Sequence, residues 1–347
     1  MADIAIVGAG VAGLAAGQAL QQAGQSVTVF EKSRGPGGRV ASCTVGLFRL
    51  DHGAQVVKAP TAELLSLVQA VGGAEDLTAP VWTFDAQGRV TPGDPAMNAE
   101  PKWVWPGGNS TLAKYLARGL PLRTEVTIAS LRRVGAGYDL VDSSGGAFGP
   151  YQTVLLTPPA PQTAHMLATS AIEPAVKREL LDSLAPASYR MCLSIALAYP
   201  QRPQKPWYAL INTDRQHAIA WLACEHCKPG RAPAPYGLIL AQMGPTWSAA
   251  YWDALMKGQY GEEEELPTPL AQVHAMVCGL IGTNLGSPLW VDVHRWRYAL
   301  ASTPYLAAAS AGRAGIYVAG DGEQGLGRVH LAIESGWRAA QRIMSRM

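Results

Sequence analysis

The sequence predicts an α/β protein built on a parallel βαβ unit, with a second α+β domain interleaved into it. Three observations point there: the N-terminal strand-turn-helix segment, a matching strand and turn near the C-terminus, and a proline-punctuated middle. Asp3–Val7 is a short apolar run that feeds into Gly8-Ala9-Gly10-Val11-Ala12-Gly13. Leu14, Ala15, Ala16, Ala19 and Leu20 then recur at helical spacing up to Gly24. Ser26–Phe30 reads as a second strand ending in Glu31. Strand, G-x-G-x-x-G, helix, strand and acid in this register form the Rossmann-type dinucleotide fingerprint. Gly8 allows the tight turn, Gly10 lets the backbone approach a pyrophosphate, and Gly13 lets the helix pack close to the strand. The N–H groups of Val11 and Ala12 at the helix start face negative charge. Glu31, eighteen residues beyond Gly13, is placed to accept hydrogen bonds from an adenosine ribose.

The remaining elements follow from periodicity and breakers. Thr61–Val71 is an amphipathic helix stopped by Gly72-Gly73, and Val81–Phe84 with Arg89-Val90 reads as a hairpin around Gln87-Gly88. A helix runs from Thr111 to Arg118, with Asn109 or Ser110 as its cap. Strands are expected at Leu122–Val126, Ile128–Val134, Tyr138–Val141 and Thr153–Leu156. From about residue 161 to 288, helices at Pro174–Leu184, Trp247–Leu255 and Leu270–Leu280 alternate with strands at Arg190–Ala198, Ala218–Ala223 and Leu238–Gln242. Glu262–Glu265 reads as a solvated acidic loop. Trp290–Ala299 is a strand with Trp296 and Tyr298 on one face, His294 beside them, and Arg295 and Arg297 on the other. Gly315–Gly322 is a buried strand running into a Gly-Asp turn, Gly320-Asp321, and Arg328-Val329 opens the last helix.

The segment after Glu31 selects among dinucleotides. Lys32-Ser33-Arg34-Gly35-Pro36-Gly37-Gly38-Arg39 adds a second glycine turn and a guanidinium, which suits FAD better than NAD. Asp51-His52-Gly53-Ala54-Gln55 follows a further apolar stretch. Together these segments resemble the flavin-containing amine oxidase superfamily, a two-dinucleotide-binding-domain flavoprotein fold. That resemblance implies a phosphate role for Arg39, with Lys32 in the same loop, and flavin-proximal roles for Gly53, Ala54 and Gln55. It implies adenine recognition by the backbone at Val126, and a carboxylate from Asp321, next to Gly320, at the ribityl chain or pyrophosphate. The helix start at Arg328 and Val329 then aims N–H dipoles at the flavin pyrimidine.

The R-W-R-Y-A run at Arg295–Ala299, Trp221 and Ala223 followed by Lys228-Pro229-Gly230-Arg231, and G-R-V at 327–329 narrow the resemblance to the bacterial renalases. The implied activity is an FAD oxidase that takes a hydride from isomeric dihydronicotinamide dinucleotides and passes the electrons to O2. Gln55, Trp105, His294, Trp296 and Tyr298 are the pocket candidates. With no cysteine in the C-terminal cofactor segment, the FAD is expected to be noncovalent. An oxidase or dehydrogenase of amines on the same fold, or a flavin-binding protein without turnover, are the competing readings. Residues 1–60, 103–160 and 290–347 are assigned to FAD binding, and 61–102 with 161–289 to a substrate domain.

Composition bounds the rest. The chain has 347 residues, 48% hydrophobic and 16% charged, and its 28 Lys+Arg against 26 Asp+Glu leave a net charge of +2. Such a balance gives no electrostatic case for nucleic acid or an anionic membrane. No apolar run reaches the roughly 20 residues that span a bilayer, and the opening strand has no signal-like flank, so a cytoplasmic enzyme is expected. Five cysteines do not make a disulfide framework. Cys224-Glu225-His226-Cys227 has redox or half-zinc spacing but lacks a second cluster, so no metal is expected and the cysteines read as incidental to the loop.

Overall fold

The computed structural model describes residues 4–261 and 265–347. The Asp3 end of the expected first strand and residues 262–264 of the acidic run lie outside the described residues. The chain divides into two compact units. One comprises Ser110–Tyr189, Leu300–Met347 and the N-terminal stretch through Val40; the other comprises Ala41–Asn109 and Arg190–Ala299.

The first unit holds a five-stranded sheet in the order Ile316–Val318, Thr153–Leu156, Ile4–Val7, Val27–Phe30, Leu122–Arg123. Every pairing is parallel. Ile316–Val318, Thr153–Leu156, Ile4–Val7 and Val27–Phe30 are largely apolar and buried along their length, as a sheet covered on both faces requires. The Val11–Gln22 helix packs against the last helix, Val329–Met344, so closely that a Cβ at Gly336 would strike the Ala12 carbonyl. A three-stranded antiparallel sheet (Ile128–Val134, Gly137–Asp142, Ala147–Tyr151) and the helices Ala160–Thr169 and Pro174–Leu184 close a core of Leu131, Leu140, Leu156, Leu167 and Leu180.

The second unit is organised by an eight-stranded sheet. Its order is Gly258–Tyr260, Trp290–Thr303, Ser188–Tyr199, Gly237–Met243, Ile219–Cys224, Ala209–Asn212, Val81–Phe84, Val90–Thr91. Side chains alternate between faces at the period of two that a strand imposes. Leu193, Ile195 and Leu197 face the Thr268–Ile281 helix through Leu270, Val273 and Val277. Ala196 and Ala198 face the other way, towards Phe48, Leu50 and Val104.

Several expectations are corrected. Residues 41–60, 103–109 and 290–299 group with the second unit because Phe48, Leu50, Val104 and Trp290 pack in its core. Residues 161–189 group with the first, since Met166, Leu167, Val176 and Leu184 fill that core instead. The strand expected over Leu122–Val126 stops at Arg123, where Glu125 turns left-handed at φ 60°, so Val126 lies in a connection. The helix expected at Trp247–Leu255 ends at Ala250. Ser110 is the first helical residue of its helix rather than the cap, and the Ala62–Val71 helix is capped by Thr61, whose hydroxyl accepts from Leu64 N at 3.3 Å. No helix among the described residues is long and apolar enough to cross a membrane.

Candidate functional site

The N-terminal glycines do what their backbone geometry allows. Gly8 sits at φ +101°, and a Cβ on Gly13 would collide with the Gly8 carbonyl. Thr157 ties this turn to the end of the Thr153–Leu156 strand, its hydroxyl donating to Val7 O at 2.8 Å and to Gly8 O at 3.1 Å. Gly10 caps the helix with no side-chain hydrogen bond, and the first turn carries no acidic residue. A Cβ placed on Gly10 would meet none of the described heavy atoms within 4 Å. The helix start at Val11 and Ala12 therefore presents uncapped N–H groups to open space, the arrangement that accepts a phosphate.

The buried Glu31 carboxylate is held in place by two backbone donors, Ala9 N and Ser33 N, each at 2.8 Å. The second glycine turn runs directly against the first. Gly37 N donates to Ala9 O at 2.8 Å, Gly10 and Gly37 form an isolated bridge, and a Cβ on Gly38 would sit 3.3 Å from Gly10 Cα. Val126 N donates to the Glu31 backbone carbonyl at 3.0 Å, which sets its backbone beside that residue.

Sequence reasoning gave Arg39 and Asp321 separate roles, and they turn out to be partners. Arg39 Nη1 and Nη2 donate to the two Asp321 carboxylate oxygens at 2.7 and 2.6 Å, a bidentate pair across 282 positions of chain. Burial works against the guanidinium charge, yet the Asp321 carboxylate outweighs it and holds the pKa above its ordinary value. Asp321 is nearly inaccessible, and Gly320 N is fixed by Ser335 Oγ at 2.9 Å. The last helix starts at Val329 with neither a side-chain cap nor an acid in its first turn. Arg328 bonds its own segment, Nη1 to Gly327 O at 3.0 Å, and Lys32 is exposed.

In the second unit, Asp51 organises a fully buried ion cluster. Its Oδ2 accepts from Arg231 Nη2 at 2.6 Å and Nε at 3.1 Å and from Lys228 Nζ at 3.3 Å; its Oδ1 accepts from Ser42 Oγ at 2.6 Å and Asn109 N at 3.1 Å. Glu225 adds a second carboxylate 2.6 Å from Lys228. Burial works to raise the Asp51 pKa, but Lys228 and Arg231 hold it below the usual carboxylate range, whereas burial keeps Glu225 above it. The K-P-G-R segment, noticed only as part of a resemblance, thus carries both cations that neutralise Asp51.

Two pocket candidates fall away here. The Gln55 side chain points into this cluster, donating to Asp51 O while its Oε1 accepts from Tyr208 OH at 3.1 Å and Lys228 Nζ at 3.2 Å. Trp105 is 1% exposed with its indole N–H already bonded to Gly72 O at 3.0 Å, so it packs the core rather than lining a pocket. Gly53 and Ala54 are held through their carbonyls, by Gln242 Nε2 at 2.7 Å and Asn109 Nδ2 at 2.8 Å.

His294 and Trp296 are brought together. Along the Trp290–Thr303 strand, His294 and Trp296 share a face, with ring centroids 4.4 Å apart. His52 stacks on His294 at 5.0 Å and 23°, and its carbonyl accepts from Trp296 Nε1 at 3.1 Å. Asp292, on the same face, lies 3.0 Å from His52 Nε2. Burial opposes charge on His52, but Asp292 and Cys43 overcome it and raise the pKa to about 9. Burial and the adjacent His52 charge push His294 the other way, down to about 3. The row thus favours charge on His52 and disfavours it on His294, with an indole beside them. Tyr298 is half-buried, and Arg295, on the opposite face, lies 4.5 Å over the Trp252 ring. His52 was not among the expected site residues; its place in the D-x-G segment was the available signal, obscured because a lone histidine is more often structural.

Comparison with known proteins places this geometry. Residues 6–71 match the NAD(P)-binding Rossmann-like domain, and residues 95–344 match the flavin-containing amine oxidoreductase family. A zeta-carotene-forming phytoene desaturase of Myxococcus xanthus is 49% identical over 57 residues, which are 16% of this chain and 11% of that protein. Putrescine oxidase of Kocuria rosea is 43% identical over 70 residues, 20% of this chain and 15% of that one. The chain thus covers only a small part of these relatives' lengths in sequence. The structure of cyclohexylamine oxidase from Brevibacterium oxydans shares the fold over 99% of both chains, with a TM-score of 0.77 at 14% identity. With an uncapped helix start, a backbone-held carboxylate and a second glycine turn in one cradle, the chain belongs to the flavin-containing amine oxidoreductase family.

Proposed function

We propose that this protein is an FAD-dependent oxidase whose substrate is a dihydronicotinamide dinucleotide, oxidised to the NAD(P)+ form with O2 as the final acceptor. The Val11 and Ala12 N–H groups would take the pyrophosphate, Glu31 the adenosine ribose and the Val126 backbone the adenine. The Arg39–Asp321 pair would meet the phosphate or ribityl region, and FAD would be bound without a covalent link. When bound, FAD supplies the hydride acceptor; the chain supplies position and electrostatics.

The observation that carries the substrate reading is the flat His294–Trp296 stack beside a His52 that is already paired with Asp292, and the protonation preferences of the two stacked histidines agree with it. A primary amine is an ammonium ion at neutral pH and must lose a proton before it can give up a hydride. A useful general base has a pKa near the working pH. His294, at about 3, is too weak a base to take that proton, and His52, at about 9, already carries one. A dihydropyridine needs no base, only a flat surface and correct orientation. The His294–Trp296 stack offers that surface, with Tyr298 two residues further along the same strand.

An amine substrate is the second reading, favoured by the family match and by the likeness to putrescine oxidase. Anaerobic mixing of the FAD-loaded protein with the 2-, 4- and 6-dihydro isomers of NAD(P) and with a panel of primary amines separates the two. Flavin bleaching by a dihydronicotinamide and by none of the amines is the expected result; bleaching by amines alone would reverse the assignment.

A further inference from the structure

The Cys224-Glu225-His226-Cys227 turn lies at the end of the Ile219–Cys224 strand, where Glu225–Cys227 forms one 3-10 turn. Cys224 is buried and Cys227 is exposed, and neither is in a disulfide. The nearness of the two sulfurs raises the Cys224 thiol and lowers that of Cys227. Residues three apart in such a turn have Cα atoms within about 7 Å, close to the ~4.4–6.8 Å range over which a disulfide closes.

What lies between the cysteines keeps them there. Glu225 is pinned by Lys228 at 2.6 Å inside the ion cluster, and Lys228 N donates back to Glu225 O at 2.9 Å. His226 has Nδ1 3.0 Å from Leu238 O and Nε2 3.3 Å from Pro203 O. With both ring nitrogens on backbone partners, His226 is not disposed as a metal ligand, and no metal-holding group of three or more such side chains exists among the described residues. The neighbouring Cys224 and then the positive charge of Arg202 lower the Cys227 thiol and favour its thiolate. The Arg202 guanidinium is itself held by Tyr236 O at 3.3 Å and Ala232 O at 3.1 Å. An exposed, charge-stabilised sulfur backed by a buried thiol in contact is the arrangement of an attacking and a resolving cysteine.

We propose that Cys224 and Cys227 form a redox-active dithiol that a peroxide closes to an intramolecular disulfide. The Cys227 thiolate attacks one oxygen of hydrogen peroxide and the O–O bond breaks. The departing hydroxide takes up the proton that Cys227 had released, giving water and a Cys227 sulfenic acid. The Cys224 sulfur then attacks Cys227, the S–O bond breaks, and the hydroxyl leaves with the Cys224 proton as a second water. Two thiols lose two electrons and two protons, and one peroxide becomes two waters.

The test uses the reduced, FAD-loaded full chain, treated with equimolar hydrogen peroxide, blocked with N-ethylmaleimide and mapped by mass spectrometry. The peroxide is added from outside, so the outcome is independent of the substrate reading. The expected product is a peptide that joins Cys224 to Cys227, lacks two hydrogens and has lost both labels, with both labels restored after dithiothreitol. Cys224→Ser is expected to leave a Cys227 sulfenic acid that dimedone traps. Cys227→Ser, a change at an exposed site, is expected to leave Cys224 reduced, which keeps the test intact if the buried substitution fails to fold. Both cysteines still labelled after peroxide, Cys227 passing to sulfinic acid with Cys224 present, or a disulfide to another cysteine would overturn the proposal.

Discussion

The glycine cradle of the first unit and the charged cluster of the second are built by opposite means. In the cradle the working groups are backbone N–H groups and a carboxylate drawn from residues 8–33, and glycine matters because a side chain would obstruct. In the cluster the working groups are fully buried side-chain charges from positions 177 and 180 apart. A site made by backbone tolerates substitution wherever the main chain keeps its shape. A site made by buried ions fails when one partner is removed, because the remaining charge has lost both water and partner.

The largest expected effect follows from that contrast. Arg231→Met leaves Asp51 with Lys228 as its remaining cation and is expected to destabilise the protein by about 3–5 kcal/mol, read as a lower denaturant midpoint. A loss under about 1 kcal/mol would mean that the cluster is wetter than its geometry indicates.

Next comes pH. His52 has a folded pKa of about 9, above its ordinary 6.5, so its contribution is complete below about pH 6.5 and disappears as pH rises through about 9. Its size is on the order of 2–3 kcal/mol. His294, lowered to about 3, acts in the opposite direction and costs stability as pH falls from about 6.5 towards 3. Asp292→Asn is expected to remove most of the alkaline loss in a thermal-denaturation series; an unchanged alkaline limb would separate His52 from Asp292.

Arg39→Ala is expected to weaken FAD retention by about 1.5–3 kcal/mol, while Arg34→Ala, at an exposed position, leaves it nearly unaltered. Equal flavin content in the two purified variants would break the assignment. The smallest effect, confined to affinity, belongs to Glu31→Ala. FAD binding should weaken by about 1–2 kcal/mol, whereas the limiting rate of flavin reduction per bound cofactor stays within about tenfold, because a ribose contact is made equally in ground and transition states.

The same contrast explains what could be read in the sequence. Gly8, Gly10, Gly13 and Glu31 were legible because their job is local: a turn, a close approach and an acid at the end of the next strand. The strands Thr153–Leu156 and helix Pro174–Leu184 were legible from apolar runs bounded by proline. Asp51 with Lys228 and Arg231, Arg39 with Asp321, and His52 with Asp292 were not, since pairing across such separations leaves no periodic trace. Trp105 and Gln55 misled for a related reason. An aromatic or amide side chain near a motif has the same one-letter appearance whether it faces a ligand or is spent on Gly72 or Asp51.

The central claim, that the substrate gives up its hydride without a protein base, is tested most directly by pH. The measurement is the limiting rate of anaerobic flavin bleaching by the best dihydronicotinamide donor, from about pH 5 to about pH 8, between the two histidine pKa values of about 3 and about 9. The expected rate is flat within about twofold, since no proton need leave the substrate and neither imidazole titrates in that window. A rate that climbs about tenfold per pH unit would reveal a base or an ammonium substrate that must first be deprotonated, and would contradict the account.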